Sequence, residues 1–380
     1  MIKQQNKQWR NNDSHSSIRR MVLQILCIFF YLISWVANSE LLQGITNGSL
    51  CPDHVPYDKP AFLSYFSYNY MMISFVFVYP CAKFRRRCSL PYYLTVIWPG
   101  RIGFRKAVLA CAFISYLLLA LNILYIVGLH RISVGMSNAI FQLQTPFTMG
   151  LSVLLLNDKL VASEGLGVIV SLIGVCFILM PLFSKESETE EPSNVGDWSL
   201  MIGVGSTLLS AAIGAIYLVF WRVLSETKNL VPLDGVEGLM DTFTTVAMIG
   251  ATNMLFGWPF LLFVHWIGWE SLSFPPLSHW RIINTNAFVE YLFDTSCAIT
   301  IYITSAIVTT VTAPLTIPLA MVTDRILYRE LSFHNSLGQG FIGTALVVVG
   351  IILLEMKPGL SYCRRKGFVG KKKDKGIECV

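Results

Sequence analysis

Charge is scarce in this chain. Only 14% of its 380 residues are Asp, Glu, Lys or Arg, against about 25% in a soluble globular protein. That shortfall excludes an ordinary water-facing surface. Marks of catalysis are missing as well. Gly203-Val204-Gly205 is not followed by the Gly-Lys-Ser/Thr of a phosphate loop. The six histidines, at 15, 54, 130, 265, 279 and 334, are scattered and form no metal-binding spacing. No Gly-x-Ser-x-Gly element occurs. Neither an enzyme nor a cofactor or metal is expected. Nine cysteines are dispersed, and only Cys51 falls clearly in a loop outside the cytosol, so no disulfide framework is implied.

What the chain does have is apolar length. Hydrophobic residues make up 54% of it, and mean hydropathy is +0.56. A bilayer span takes roughly 20 apolar residues in a helix. Ten such stretches are expected, at 21–38, 61–82, 107–128, 133–156, 163–184, 198–221, 239–266, 285–302, 304–327 and 336–356. Residues 285–327 form a nearly unbroken run, so nine or eleven spans stay open. The fold class expected is an all-α polytopic membrane protein, because lipid offers no partner to a free backbone amide or carbonyl.

Basic residues orient the chain. With the N-terminus in the cytosol and ten spans, 23 of the 29 lysines and arginines fall on the cytosolic side. The positive-inside rule then puts both termini in the cytosol. The net charge of +6 belongs to tails and loops, so no nucleic-acid partner is expected. Lys371–Lys373 reads as a tail gripping anionic headgroups. Asn47-Gly48-Ser49 is a glycosylation sequon in the first loop on the other side.

The acidic, proline-containing stretch 185–197 divides the chain in two. The organisation expected is a tail at 1–20, a five-helix unit at 21–184, this linker, a second five-helix unit at 198–357 and a basic tail at 358–380. An odd number of spans inverts the second unit relative to the first. An offset of 171 aligns Ile132 with Ile303, Ser133 with Thr304, Thr145 with Thr316 and Leu160 with Leu331; Asn122 meets Asp294 at 172. Duplicated, inverted units of this kind are a transporter design. With no ATPase unit, movement would be driven by a gradient or by exchange.

Polar residues at membrane depth carry the chemistry, since they are costly in lipid and turn toward protein or water. Span three holds Asn122 and Tyr125, and span four holds Asn138, Gln142 and Gln144. Asn138 and Gln142 share a helix face. They line a solute cavity or make an interhelical hydrogen bond. Glu290 and Asp294 share a face of span eight. They form a paired acid site for proton coupling, or they satisfy neighbouring helices near the interface. Span nine holds Thr309, Thr310, Thr312 and Thr316, with Asp324 beside Arg325 near its end.

Several segments resemble a known family. Residues 304–324, running Thr-Ser-Ala-Ile-Val-Thr-Thr-Val-Thr-Ala-Pro-Leu-Thr-Ile-Pro-Leu-Ala-Met-Val-Thr-Asp, are similar to the ninth span of the F subfamily of solute carrier family 35. That subfamily belongs to the drug/metabolite transporter superfamily, with EamA-like repeats. Asn253…Gly257-Trp258-Pro259…His265…Gly268-Trp269-Glu270…Phe274-Pro275 resembles its seventh span and following loop. Gly196-Asp197…Ser210-Ala211-Ala212…Ala215-Ile216-Tyr217 resembles its sixth. Asn122-Ile-Leu-Tyr125 and Asp158-Lys159-Leu160 fit the first half. Ala306 stands where that pattern has proline, and Glu290 precedes its acid, Asp294, by a turn.

The resemblance implies two inverted repeats and alternating-access movement of a small organic solute that is nucleotide-sugar-, vitamin- or metabolite-like. It also implies an endomembrane location, Golgi- or vacuole-like. The solute-binding residues expected are Asn122, Tyr125, Asn138, Gln142, Tyr217, Trp221 and Thr312. Asp294, then Glu290, would couple transport to a proton. The partners expected are the solute, the bilayer, and a proton or counter-substrate; a homodimer is compatible with the pattern. The alternative is a non-transporting receptor or scaffold that kept the fold.

Overall fold

The computed structural model describes residues 2–51, 54–156, 162–184, 194–228 and 236–303, with scattered positions between 313 and 353. Backbone alone is described at 2–21, 156, 162–164, 175, 178–184, 194–197 and 225–228. Among the described residues there is no strand. The chain is a helical, polytopic membrane protein.

The first helix, α1, runs Ile2–Thr46, and its apolar part Val22–Thr46 is long enough to cross a bilayer. Val22, Ile25, Leu26, Phe29, Phe30 and Ile33 are exposed, whereas Tyr31, Leu32, Trp35 and Val36 are buried. The exposed side is apolar because its solvent is lipid. α1 continues past residue 38, where the apolar run ends, because its last turns are polar and inward. There Gln43 donates to the carbonyls of Leu129 at 3.0 Å and Ile132 at 3.1 Å. It thereby satisfies acceptors that the end of another helix leaves open.

The second span, Pro60–Arg85, is stitched from α2 (Pro60–Asn69), a 3₁₀ segment (Tyr70–Ser74), α3 (Phe75–Pro80) and a π turn (Cys81–Arg85). A short α4 (Leu90–Tyr92) follows. Gly103, at φ 76°, then opens the long α5 (Phe104–Leu129), a backbone angle that favours glycine.

The fourth span is broken into α6 (Val134–Phe141) and α7 (Gln144–Leu156). Pro146 explains the break. It has no N–H to return to the carbonyl of Gln142, and Thr145 takes that acceptor through a tighter turn at 3.1 Å. The break falls at Gln142, a residue the sequence marks as a candidate. α8 (Ala162–Ser184) matches the fifth expected stretch. α9 (Asn194–Lys228) starts inside the expected linker and carries the sixth span, Trp198–Leu224.

The seventh stretch is α10 (Val236–Phe256) and α11 (Trp258–Trp266), bent by 44° at Gly257 ahead of Pro259. The eighth is α12 (Trp280–Ile303). Its polar residues lower its apolarity below that of Val22–Thr46, Pro60–Arg85, Phe104–Leu129 and Trp198–Leu224, and its buried positions include Asn286, Glu290, Thr295, Ser296 and Thr300. Most of the ninth and tenth stretches, with Met1, the acidic segment 185–193 and residues 354–380, lies outside the described residues.

The largest interhelical contacts join α5 to α9 and α1 to α12. α12 also packs on α2, α5 on α10, α2 on α5, and α10 on α12. α2 meets α10 directly, and Ala313 joins the cluster of Tyr31, Leu32 and Trp35 on α1. The polar site lies at the junction of α1, α2, α5, α6 and α12.

Candidate functional site

The site is built from buried amides, carboxylates and rings in the middle of the helices. Asn122 on α5 donates to Glu290 Oε1 on α12 at 2.5 Å. Ser67 on α2 lies beside the same carboxylate and accepts from Asn286 Nδ2 at 3.4 Å. Asp294 sits one turn beyond Glu290, within its electrostatic reach. Three helices thus converge on one carboxylate.

A second cluster adjoins it. Asn138 Oδ1 on α6 accepts from the Trp35 indole at 3.1 Å and from the Tyr125 hydroxyl at 2.6 Å. Tyr125 also meets Ser39 Oγ at 2.9 Å. Rings close around this network: Phe293 lies 5.9 Å from Tyr31 and 5.4 Å from Trp35, and Phe141 lies 5.4 Å from Tyr125. The end of α6 supplies Phe141 to the same neighbourhood, 5.9 Å from Trp35.

Hydrogen-bonding capacity is left over. Glu290 Oε2, Asp294 Oδ2, Asn138 Nδ2, Gln142 Nε2 and Asn286 Oδ1 are buried without a partner. Buried polar atoms are nearly always paired, so a cluster of unpaired ones marks a place for water, a proton or a ligand.

The structure therefore brings together Asn122, Tyr125, Asn138, Glu290 and Asp294, while Gln142 is buried at the α6–α7 break. Tyr217 and Trp221 on α9 pack edge to face, 6.0 Å apart, beside the main apolar core. Tyr217 also lies within electrostatic reach of Asp294. Thr312 lies outside the described residues. Trp35, Ser39, Ser67 and Asn286 belong to the site and were not foreseen. Asn286 and Ser67 carried a usable signal, being polar residues in apolar stretches. Trp35 carried none.

A further polar contact lies at one end of the bundle. Glu270, in the loop between α11 and α12, accepts from the backbone amides of Ala61 at 2.8 Å and Phe62 at 3.1 Å. It caps α2, whose first N–H groups have no partner within the helix. Burial raises the Glu270 carboxyl above its ordinary range, while the two amides and Lys59 pull it down. Lys59 reaches Ser271, Tyr57 donates to the Ser273 carbonyl, and His279 meets the Val55 carbonyl. Two loops are fastened together by these bonds. At the opposite end Arg86 pairs with Glu237 at 2.8 Å.

No family model matches the chain. Curated relatives do. The chain is 25% identical over 210 residues to an uncharacterized transporter of Schizosaccharomyces pombe, covering 55% of this chain and 56% of that protein. It is 24% identical over 211 residues to an uncharacterized vacuolar membrane protein of Saccharomyces cerevisiae, covering 54% and 50%. It is 26% identical over 175 residues to solute carrier family 35 member F5 of Pongo abelii, covering 44% and 29%. The chain thus spans about half the length, or less, of the curated relatives it matches. The fold and site define a multi-pass helical membrane protein with a polar interior. Its similarity is to transporters of the solute carrier family 35, drug/metabolite type.

Proposed function

We propose that this protein is a secondary transporter. It moves a small organic solute across an endomembrane by alternating access, with Glu290 and Asp294 coupling the movement to protons or to a counter-substrate. The observation that carries this reading is the set of unpartnered buried polar atoms around the Asn122–Glu290 bond. A scaffold gains nothing from polar capacity left open in its core, whereas a site that must bind and release a solute does.

The pattern of helix contacts supports two inverted repeats. Exchanging α1 with α9, α2 with α10 and α5 with α12 converts each major contact into another that is present. α1–α12 becomes α9–α5, α12–α2 becomes α5–α10, and α2–α5 becomes α10–α12. The α6–α9 and α7–α9 contacts find their counterpart in Ala313 against α1. Units related in this way can rock about a site held between them. Endomembrane placement follows the vacuolar membrane relative, and basic-residue placement favours cytosolic termini.

Asn122, Tyr125, Asn138 and Gln142 would contact the solute, with Tyr217 and Trp221 as aromatic walls and Thr312 from span nine. Carrying two negative charges out of water is costly, so a proton or cation accompanies Glu290 and Asp294 through the cycle. Flux of labelled solutes into proteoliposomes tests the reading. Asp294→Asn is expected to abolish pH dependence of uptake without loss of expression. An unchanged pH profile removes Asp294 from the coupling role, and absence of any flux across a broad metabolite screen removes transport itself.

A further inference from the structure

The loop between α11 and α12, residues 267–279, turns its polarity inward. Its two titratable side chains, Glu270 and His279, are both buried. Glu270 caps α2, and His279 meets the Val55 carbonyl. Lys59 takes the Ser271 hydroxyl, and Tyr57 takes the Ser273 carbonyl. What remains outside is apolar. Phe274 is 78% exposed and Leu277 92%, and Trp269 and Leu272 are exposed as well.

A loop that faces water is arranged the other way, with charges outside and large apolar side chains inside. In the loop it packs against, Asp58 is exposed and Tyr57 is buried. A cluster of large apolar side chains on the outside marks a missing partner.

That surface continues one whose solvent is lipid. On α11, Trp258, Leu262 and Trp266 recur at four-residue spacing, and all three are exposed. The spacing puts them on one face, while Leu261 and Val264 are buried. α11 is the second limb of a bent pair long and apolar enough to cross a bilayer, so its outer face meets lipid. Ile267 and Trp269, both exposed, carry the surface from the end of α11 into the loop. From Met254 to His279 no Asp, Glu, Lys or Arg is exposed; the first exposed charge beyond is Arg281.

Backbone chemistry sets the depth. Irregular chain with open amides cannot enter the hydrocarbon core. Several amides here are closed. Ile267, Gly268 and Trp269 donate back to carbonyls of α11, Leu272 donates to His265 Nδ1, and His279 donates to the Pro276 carbonyl. Pro275 and Pro276 have no N–H to satisfy. Such a segment suits the headgroup boundary, where water stays within reach and tryptophan is enriched.

We infer that residues 266–277 lie in the bilayer interface, seated in the leaflet at the end of the bundle where α1 ends and α2 begins. Trp266, Trp269, Phe274 and Leu277 enter the boundary between headgroups and acyl chains. The partner is the membrane surface rather than water or another protein. Lipid holds the outer side of the loop, and Lys59, Tyr57 and the amides of α2 hold its inner side. The cap of α2 is thereby kept at the membrane edge.

The test places an environment-sensitive fluorescent amino acid at Phe274 or Leu277 of the full-length chain in phosphatidylcholine liposomes. Asp58 is the water-facing reference position, and Leu255, exposed on α10, is the lipid-facing one. The quenchers are iodide on both sides of the membrane and lipids carrying a nitroxide near the headgroup or near the chain end. Probes at 274 and 277 are expected to emit at shorter wavelength than at 58 and to lose iodide quenching. The shallow nitroxide is expected to quench them most, at a depth of roughly 5–10 Å. The unlabelled chain gives a second measurement. Trp266→Phe and Trp269→Phe keep a ring, and each is expected to reduce the share of tryptophan emission that brominated lipids quench. Iodide quenching equal to that at Asp58 puts the loop in water and overturns the inference. Shielding from iodide and from both lipid quenchers overturns it in favour of a protein partner, a second copy included. Strongest quenching from the chain-end nitroxide overturns the interfacial depth.

Discussion

Asn122 and Glu290 are 168 positions apart in sequence and 2.5 Å apart in the fold. The bond ties α5 to α12, across the boundary between the two proposed repeats. Removing it leaves a buried carboxylate short of a donor. Asn122→Ala is expected to lower stability by about 1–3 kcal/mol, read as a drop in melting temperature in detergent. Asn122→Asp, which adds a third acid beside Glu290 and Asp294, is expected to cost more at neutral pH and to recover on acidification. If Asn122→Asp melts like the wild type across pH, the bond does not hold α5 and α12 together.

Asn138 is held by two donors, the Trp35 indole and the Tyr125 hydroxyl. The arrangement fixes its Oδ1 and leaves Nδ2 free to face a solute. Trp35→Phe keeps a ring and removes one donor. Uptake is expected to lose affinity by roughly three- to tenfold, the equivalent of one neutral hydrogen bond, with stability changed by about 1 kcal/mol. Kinetics that show a lower maximal rate at unchanged half-saturation would mean that Asn138 orientation serves the conformational step instead.

Glu270 links pH to stability. Burial raises its carboxyl in the folded state, so the folded protein binds this proton more tightly than the unfolded chain. Between the ordinary value of 4.5 and the raised one, the folded state holds more protons, and stability falls as pH rises through that window. Glu270→Gln is expected to flatten this part of the profile. It should also cost about 1 kcal/mol, because a single amide oxygen accepts less well from both Ala61 and Phe62. Thermal unfolding at stepped pH checks both effects, and a profile identical to that of the wild type would remove Glu270 as the source of the slope.

Much of this site was legible because polar residues at membrane depth have few places to go. Asn122, Asn138, Gln142, Glu290 and Asp294 stood out against apolar runs, and all five turn inward. Trp35 and Tyr31 did not, for a physical reason. In a lipid-facing helix both sides are apolar, so hydropathy does not separate the buried face of α1 from its exposed one. The end of α1 was hidden by the reverse effect. Glu40 and Gln43 lower hydropathy past residue 38, yet both are buried. Glu270 lies in a loop, and a cap supplied from 209 positions away in sequence leaves no local trace. The breaks at Pro146 and Gly257 follow from backbone chemistry, but which side chains they bury depends on tertiary placement.

Gly250 tests the contact at the symmetric centre of the proposed repeats, where α10 meets the second span. A Cβ placed there would lie 2.7 Å from the amide nitrogen of Met72 and 2.8 Å from Met71 Cβ. The first of these is backbone and cannot rotate away. The contact falls on the 3₁₀ segment Tyr70–Ser74, so close approach of the two chains depends on the absent side chain, as in other small-residue helix interfaces. Gly250→Ala is expected to destabilise by about 1–3 kcal/mol through overpacking, and Gly250→Val by more. Both should reduce the yield of monodisperse protein in gel filtration. Gly205, whose added Cβ would meet nothing within 4 Å, is the matched control. Gly205→Ala is expected to behave like the wild type. Equal tolerance at both positions would mean that α10 and the second span do not approach as closely as the fold requires.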